Sequence, residues 1–277
     1  MESGKRNQEL IAGKILLFLS IIRRDLIEID MKTMLITGAS RGIGAATALL
    51  AAQNGYAVAI NYQKNKKAAD EVVDQILSKG GKAIAIQADV SKENEIVRLF
   101  SVVDNHFGNL HCLVNNAGIL EHQMKLVDLP YDRLQRMFNA NILGPFLCCR
   151  EAIKCMSTKF GGEGGTIVNV SSIASRTGAP FEYIDYATTK GALDTLTIGL
   201  SKELAEEKIR VNAVRPAFIY TDIHAEGGEP DRINRIKENI PLKRGGLAEE
   251  VAEAILWLAS EKSSYSTGIF IDVTGGK

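Results

Sequence analysis

The chain lacks a surplus of either charge: lysine plus arginine and aspartate plus glutamate both number 33. That balance argues against nucleic acid or an anionic membrane as the main partner. Cysteine is scarce. Cys112, Cys148, Cys149 and Cys155 are the only four, and none stands at metal-ligand spacing from a histidine pair. No metal site and no disulfide framework is therefore expected. The thiols read as reduced, small apolar residues, as in a cytoplasmic protein. Internal repeats and low-complexity tracts are absent. So is a membrane-length apolar run: "ILLFLSII", residues 15–22, falls short of the ~20 residues a helix needs to cross a bilayer. Basic residues flank it on both sides and no small-residue cleavage site follows, so it matches a signal peptide poorly. Residues 1–30 read as an N-terminal extension, an appended or misassigned start ahead of Met31 or Met34. A membrane-surface or partner-binding helix is the alternative.

What is present is a regular alternation over residues 31–277, in a chain 45% hydrophobic and able to bury a sizeable core. "TMLITG" precedes a helical pattern over 43–54, "AVAIN" one over 68–78, and "AIAIQ" one over about 91–106. "LHCLVN" precedes about 132–156, "GTIVNVS" about 186–206, and "RVNAVRP" 248–260; "GIFIDV" closes the chain. The apolar runs are continuous, as when helices cover both faces of a sheet. Seven strands with helical crossovers predict an α/β fold, a single doubly wound Rossmann fold with a parallel sheet. Its ligands belong at the carboxyl ends of the strands. One long irregular stretch lies between Tyr220 and Gly246.

"TGASRGIG", residues 37–44, follows a strand and opens a helix. Gly38, Gly42 and Gly44 allow a tight turn and close approach of a pyrophosphate, with the helix N-terminus supplying positive potential. The spacing is G-x-x-x-G-x-G, not G-x-G-x-x-G, and a plain strand-to-helix turn is the bland alternative. The second strand ends at Asn61 and Tyr62, without the carboxylate that holds a ribose 2′-hydroxyl. Arg41 lies in the loop, and Lys64, Lys66 and Lys67 follow the strand. A cationic corner suits a 2′-phosphate, so NADP(H) is expected in preference to NAD(H). Asp89 and Val90 follow the third strand, "NNAG" ends the fourth at Asn115–Gly118, and Ser171 and Ser172 close the fifth. All fall where a cofactor would pass.

Together with Asn141 in "NANILG" and "YATTK" at Tyr186–Lys190, these motifs strongly resemble the short-chain dehydrogenase/reductase family over residues 31–277. The stretches "NYQKNKKAAD" and "RPAFIYTDIHAEGGEPDR" look like a bacterial subgroup labelled glucose-1-dehydrogenase-like or uncharacterised oxidoreductase. The resemblance implies a carbonyl or secondary-alcohol substrate and a catalytic set of Asn141, Ser172, Tyr186 and Lys190. Ser172 would orient the substrate oxygen, and Asn141 would hold a water that links Lys190 to solvent. The implied cofactor track runs over Gly38, Ser40, Arg41, Gly42, Ile43 and Gly44, then Asn61, Tyr62, Asp89 and Val90. It continues through Asn116, Ala117 and Gly118, then Tyr186 and Lys190, and ends at Pro216, Ile219 and Thr221. A homo-oligomer, a tetramer in this family, is also implied.

Residues four apart share a helix face, so the Lys190 ammonium can lie near the Tyr186 phenol. A positive neighbour favours the phenolate. Bringing a phenol from about 10 to neutrality takes about 4 kcal/mol of differential stabilisation, which Lys190 and an oxidised nicotinamide are expected to supply. The enoyl-reductase branch of the family spaces its tyrosine and lysine more widely, so "YATTK" favours carbonyl chemistry. Pro216-Ala217 departs from the family's Pro-Gly, which implies ordinary backbone angles there or a slightly shifted cofactor amide. "RTGAPFEYID" implies a reshaped pocket wall of Phe181, Glu182 and Tyr183, or else a bland loop. Residues 221–246 read as a substrate lid in which His224 and Arg232 either meet substrate or merely solvate the loop. A catalytically silent dinucleotide-binding regulator or scaffold is the alternative function.

Overall fold

The structure, a computed structural model, describes residues 31–277; the expected N-terminal extension at 1–30 lies outside them. Seven strands form one sheet in the order β3-β2-β1-β4-β5-β6-β7, parallel throughout. They are β1 (Thr33–Ile36), β2 (Ala57–Tyr62), β3 (Lys82–Gln87), β4 (Leu110–Asn115), β5 (Gly165–Val170), β6 (Ile209–Pro216) and β7 (Phe270–Val273). The longer helices are α1 (Gly42–Gln53), α2 (Lys66–Ser78), α3 (Glu93–Phe107), α4 (Tyr131–Phe138), α5 (Gly144–Met156), α6 (Ile184–Glu203) and α7 (Ala248–Ala259). The doubly wound sheet expected from the pattern is the sheet observed.

The central strands are apolar on both faces because each face of the sheet has its own core. Met34, Ile36, Val58 and Ile60 pack with Val251 and Ile255 of α7 on one side. Leu35, Ala59, Leu113 and Ile167 pack with Leu99 of α3, Ala152 of α5 and Leu193 of α6 on the other. From β1 the chain winds to β2 and β3, then returns to place β4 on the opposite side of β1. This reversal opens a crevice between the carboxyl ends of β1 and β4, where such sheets bind ligands.

One expected helix is broken. Residues 132–156 form α4, a π-turn at Asn139–Leu143, then α5. Pro145 removes a backbone donor at the start of α5. Within the π-turn, Asn141 leaves the helix face to bond the backbone of Ile119. Single-turn π segments often mark functional positions. The irregular stretch after Tyr220 contains two short helices, Ile223–Glu226 and Arg232–Ile236.

Candidate active site

The glycine loop is built from the backbone outward. Gly38 adopts a positive φ of 62°, and a Cβ there would lie 2.9 Å from Ala117 Cα. At Gly44 a Cβ would lie 2.6 Å from the Asn116 amide. The loop can close on the "NNAG" segment only because both positions lack a side chain. Thr37 Oγ1 accepts the N–H groups of Asn116 and Ala117, each at 3.0 Å. Asn116 Nδ2 donates back to the carbonyls of Thr37 and Gly38 at 2.8 and 2.9 Å. No side chain caps the N-terminus of α1, so its leading N–H groups remain open to an anion. Ser40 and Ile43 are half-buried beside it.

At the tip of β2, Asn61 is 2% exposed. Its Oδ1 accepts the Gly38 N–H at 3.2 Å, and its Nδ2 donates to the Ala88 carbonyl at 3.0 Å. Its polar atoms brace the loop from behind, and buried Tyr62 adds wall. Asp89 Oδ1 accepts from the backbone and hydroxyl of Ser91 at 2.9 and 2.7 Å, and Val90 packs its carbonyl against Gly144. Arg41 pairs with Glu226 and lies 3.9 Å from Asp222. Lys66 and Lys67 pair along α2 with Asp70 and Glu71. Lys64 makes no ion pair among the described residues.

Two members of the expected catalytic set, Asn141 and Lys190, meet at Gly118. A Cβ there would lie 3.4 Å from Asn141 Oδ1 and 3.6 Å from Lys190 Nζ. Asn141 is 1% exposed and exchanges two hydrogen bonds with Ile119, at 2.8 and 2.9 Å. Lys190 Nζ lies 5.4 Å from the Tyr186 ring centroid and donates to the Val170 carbonyl at 2.8 Å. Ser172, at the end of β5, accepts from the Ala174 N–H at 3.1 Å.

Burial dominates the electrostatics of the pair. Burial pushes Tyr186 up to about 12, with a hydrogen bond from Ser172 pulling the other way. Burial brings Lys190 down to about 8, against the raising influence of Asp194. The lysine is turned to a carbonyl, and desolvation governs both groups. Without cofactor the pair is therefore a neutral phenol beside a lysine that titrates near neutrality.

Comparison with known proteins agrees with this geometry. A family model described as enoyl-(acyl carrier protein) reductase matches residues 38–277. The oxidoreductase YgfF of Escherichia coli, named as uncharacterized, is 60% identical over 247 residues, covering 89% of this chain and 100% of the relative. The 3-oxoacyl-[acyl-carrier-protein] reductase FabG of Staphylococcus epidermidis is 38% identical over 245 residues, covering 88% of this chain and 98% of the relative. The chain belongs to the short-chain dehydrogenase/reductase family. The solved short-chain dehydrogenase/reductase of Serratia marcescens superposes with a TM-score of 0.82 at 31% identity, covering 88% of this chain and 97% of the other. Members are oxidoreductases that move a hydride to or from a nicotinamide dinucleotide, and the open α1 terminus and glycine-lined crevice fit its pyrophosphate.

The other short-chain dehydrogenase/reductase positions fall as follows. Pro216 ends β6, and Ala217 keeps an ordinary φ while donating to the Val273 carbonyl at 3.1 Å. Glycine freedom is not needed there. Thr221 packs its methyl 3.2 Å from where a Gly42 Cβ would lie. Ile219 is buried, and its carbonyl takes a hydrogen bond from His224 Nε2 at 3.0 Å. Arg232 pairs with Glu182 and, at 2.8 Å, with Glu229, and its guanidinium lies 5.1 Å from the Tyr183 ring. Arg232 therefore staples the segment after β6 to the loop before α6, while His224 ties that segment to itself. Hydrogen bonding from Arg235 leads in holding Glu229 down at about 2. In that loop Phe181 is 76% exposed and, like Ala179, adopts a positive φ, a strained conformation that clusters at functional positions.

Nothing in the sequence motifs marks Thr37 as a brace or Arg133 and Asp185 as a buried pair. The pair's one sequence signal is an arginine on the same face of α4 as buried Met137. A cavity of about 800 Å³ lined by His111, Lys208 and Arg210 opens at the opposite, N-terminal edge of the sheet and takes no part in the site. Among the described residues no cluster of histidine, cysteine, aspartate and glutamate is arranged to hold a metal. No described helix is long and apolar enough to cross a membrane.

Proposed function

We propose that residues 31–277 form a short-chain dehydrogenase/reductase domain that interconverts a carbonyl and a secondary alcohol with NADP(H), with Tyr186 as the acid–base residue. The observation that carries this is the convergence of Asn141, Lys190 and the Gly118 backbone at the mouth of the β1/β4 crevice, with Tyr186 one helical turn from Lys190. The nicotinamide supplies or accepts the hydride. Ser172 donates a hydrogen bond to the substrate oxygen and orients it. Tyr186, protonated because burial holds it at about 12, delivers its hydroxyl proton to that oxygen in reduction. Lys190 replaces the proton and holds the nicotinamide ribose, with Asn141 connecting it to solvent through water. In oxidation Tyr186 would take the proton as its phenolate, the form a neighbouring positive charge favours.

Preference for the 2′-phosphate rests on the tip of β2, which ends in Asn61 and Tyr62 without a carboxylate and where Asn61 is buried in backbone contacts. Lys64, just past β2, and Arg41, in the glycine loop, are the cations proposed to meet it, and Arg41 must leave Glu226 to do so. A tetramer and a cytoplasmic setting complete the proposal. Residues 1–30 are an extension outside the domain. A silent regulator would need the cofactor crevice but not the serine–tyrosine–lysine set. Titrating the protein with NADPH and NADH by cofactor fluorescence, then assaying aldehydes, ketones, quinones and sugars, tests the proposal. Tyr186→Phe is expected to keep NADPH affinity and lose at least about 100-fold in turnover. Turnover equal to the parent's would reject Tyr186 as the acid.

A further inference from the structure

We propose that Arg133 and Asp185 form a buried positioning pair that sets the orientation of Tyr186; the proposal rests on Tyr186 being the acid–base residue. The first ladder hydrogen bond of α6 runs from the Ala187 N–H to the Tyr183 carbonyl, at 2.9 Å. Tyr186 therefore belongs to the opening turn, whose N–H groups have no partner in the helix. Its N–H is taken instead by Asp185 Oδ1 at 2.9 Å. The second carboxylate oxygen, Oδ2, accepts from Arg133 Nε at 2.8 Å. Both side chains are deep in the protein, 3% and 1% exposed. Arg133 Nη1 donates to the His122 carbonyl at 2.6 Å, in the segment that leaves β4 past Gly118 and Ile119. One guanidinium thus joins α4, the segment after β4 and the first turn of α6.

Stability alone does not account for the pair. Desolvation offsets the attraction of buried charges, and apolar side chains of similar volume are often no less stable. Nη2 of Arg133 has no partner among the described residues, so the guanidinium is not held there for complete satisfaction. What apolar groups cannot do is accept the Tyr186 N–H and fix the accepting carboxylate from a second element. The other members of the set have their own anchors: Lys190 on Val170, Asn141 on Ile119, and Ser172 at the end of β5. Tyr186 sits where helices fray, and a misplacement of about 1 Å is enough to cost ~100-fold in rate.

The test compares the parent with Arg133→Met/Asp185→Leu, Arg133→Lys, Asp185→Asn and, as a control, Tyr186→Phe. Two readouts are used. One is steady-state kinetics on the first aldehyde, ketone, quinone or sugar the parent reduces. The other is amide hydrogen exchange of residues 184–190 in the cofactor-free protein. The double variant is expected to melt with the parent, bind NADPH with unchanged affinity, lose about 10- to 100-fold in kcat and exchange faster in the first turn of α6 alone. Arg133→Lys, which keeps a charge beside Asp185, is expected to recover part of that loss. A double variant with the parent's kcat and the parent's exchange overturns the proposal. If the double variant does not fold, Asp185→Asn decides by the same two readouts: slower turnover with faster exchange supports the pair, and parent-like values overturn it. If Tyr186→Phe keeps full turnover, the acid–base assignment falls and the proposal falls with it. If Tyr186→Phe is inactive and the pair variants are parent-like, only the positioning role falls.

Discussion

Thr37 is a single hydroxyl on which two loops meet, and removing it has a calculable cost. Its Oγ1 accepts the N–H groups of Asn116 and Ala117 at 3.0 Å each, and the side chain is 2% exposed. Thr37→Val keeps the shape and deletes the acceptor. The Val114 carbonyl, to which the hydroxyl donates at 3.4 Å, still receives the Thr37 backbone N–H at 3.0 Å. The loss is therefore confined to the two N–H groups. Each buried donor left unpaired costs about 1–3 kcal/mol. Asn116 and Ala117 are half-buried, so water recovers part of this, and about 2 kcal/mol in total is the working figure. For a domain of this size that is a fall of about 4–8 °C in Tm. Because the bonds join the glycine loop to "NNAG", NADPH affinity should fall as well. Thr37→Ser, which keeps the hydroxyl and loses one methyl, should cost about 1 kcal/mol and leave NADPH affinity intact. Differential scanning fluorimetry and cofactor-fluorescence titration measure both effects. A Thr37→Val protein that melts with the parent and binds NADPH equally well would refute the brace.

Three further outcomes follow from the site. Lys190 titrates at about 8 because burial disfavours its ammonium, so it is protonated below that pH and neutral above it. kcat/KM for carbonyl reduction should therefore fall as pH rises through about 8, while Tyr186, at about 12, stays protonated throughout. A profile flat across that pH would refute the role of Lys190. Glu226→Gln should release Arg41 from its exposed pair and tighten NADPH binding about two- to fivefold, the scale of a surface ion pair. NADH affinity should stay as it was, and equal changes for both cofactors would argue against Arg41 as the 2′-phosphate ligand. Gly38→Ala places a Cβ at a φ of 62° and 2.9 Å from Ala117 Cα; left-handed backbone alone costs about 1–2 kcal/mol. Thermal denaturation should show the loss, together with weaker NADPH binding.

Much of the fold is local in origin and was legible for that reason. A strand buried on both faces must be apolar throughout, so seven such runs between amphipathic helices are readable without knowing their neighbours. That the strands run parallel could be inferred because each is joined to the next by a helical crossover; their order was read from the structure. The break within residues 132–156 was not legible. It depends on Asn141 meeting Ile119 from a different element, and nothing in "NANILG" announces that partner. The same holds for Asn61. Its place at the end of β2 was clear, but its hydrogen bonds to Gly38 and Ala88 exist only once three strands lie side by side.

The sequence by itself determined which chemistry-bearing side chains exist and how they are spaced. Spacing is enough when partners share an element, as with Tyr186 and Lys190 four residues apart on α6, or when a backbone needs glycine, as at Gly38. Only the tertiary structure decided what those groups are worth. Burial set the ionisation of Tyr186 and Lys190. Long-range contacts gave Arg41 to Glu226, Arg232 to Glu182, and Arg133 to Asp185. The reason is physical: desolvation and ion pairing depend on what surrounds a group in space, and those surroundings come from parts of the chain tens to hundreds of residues away.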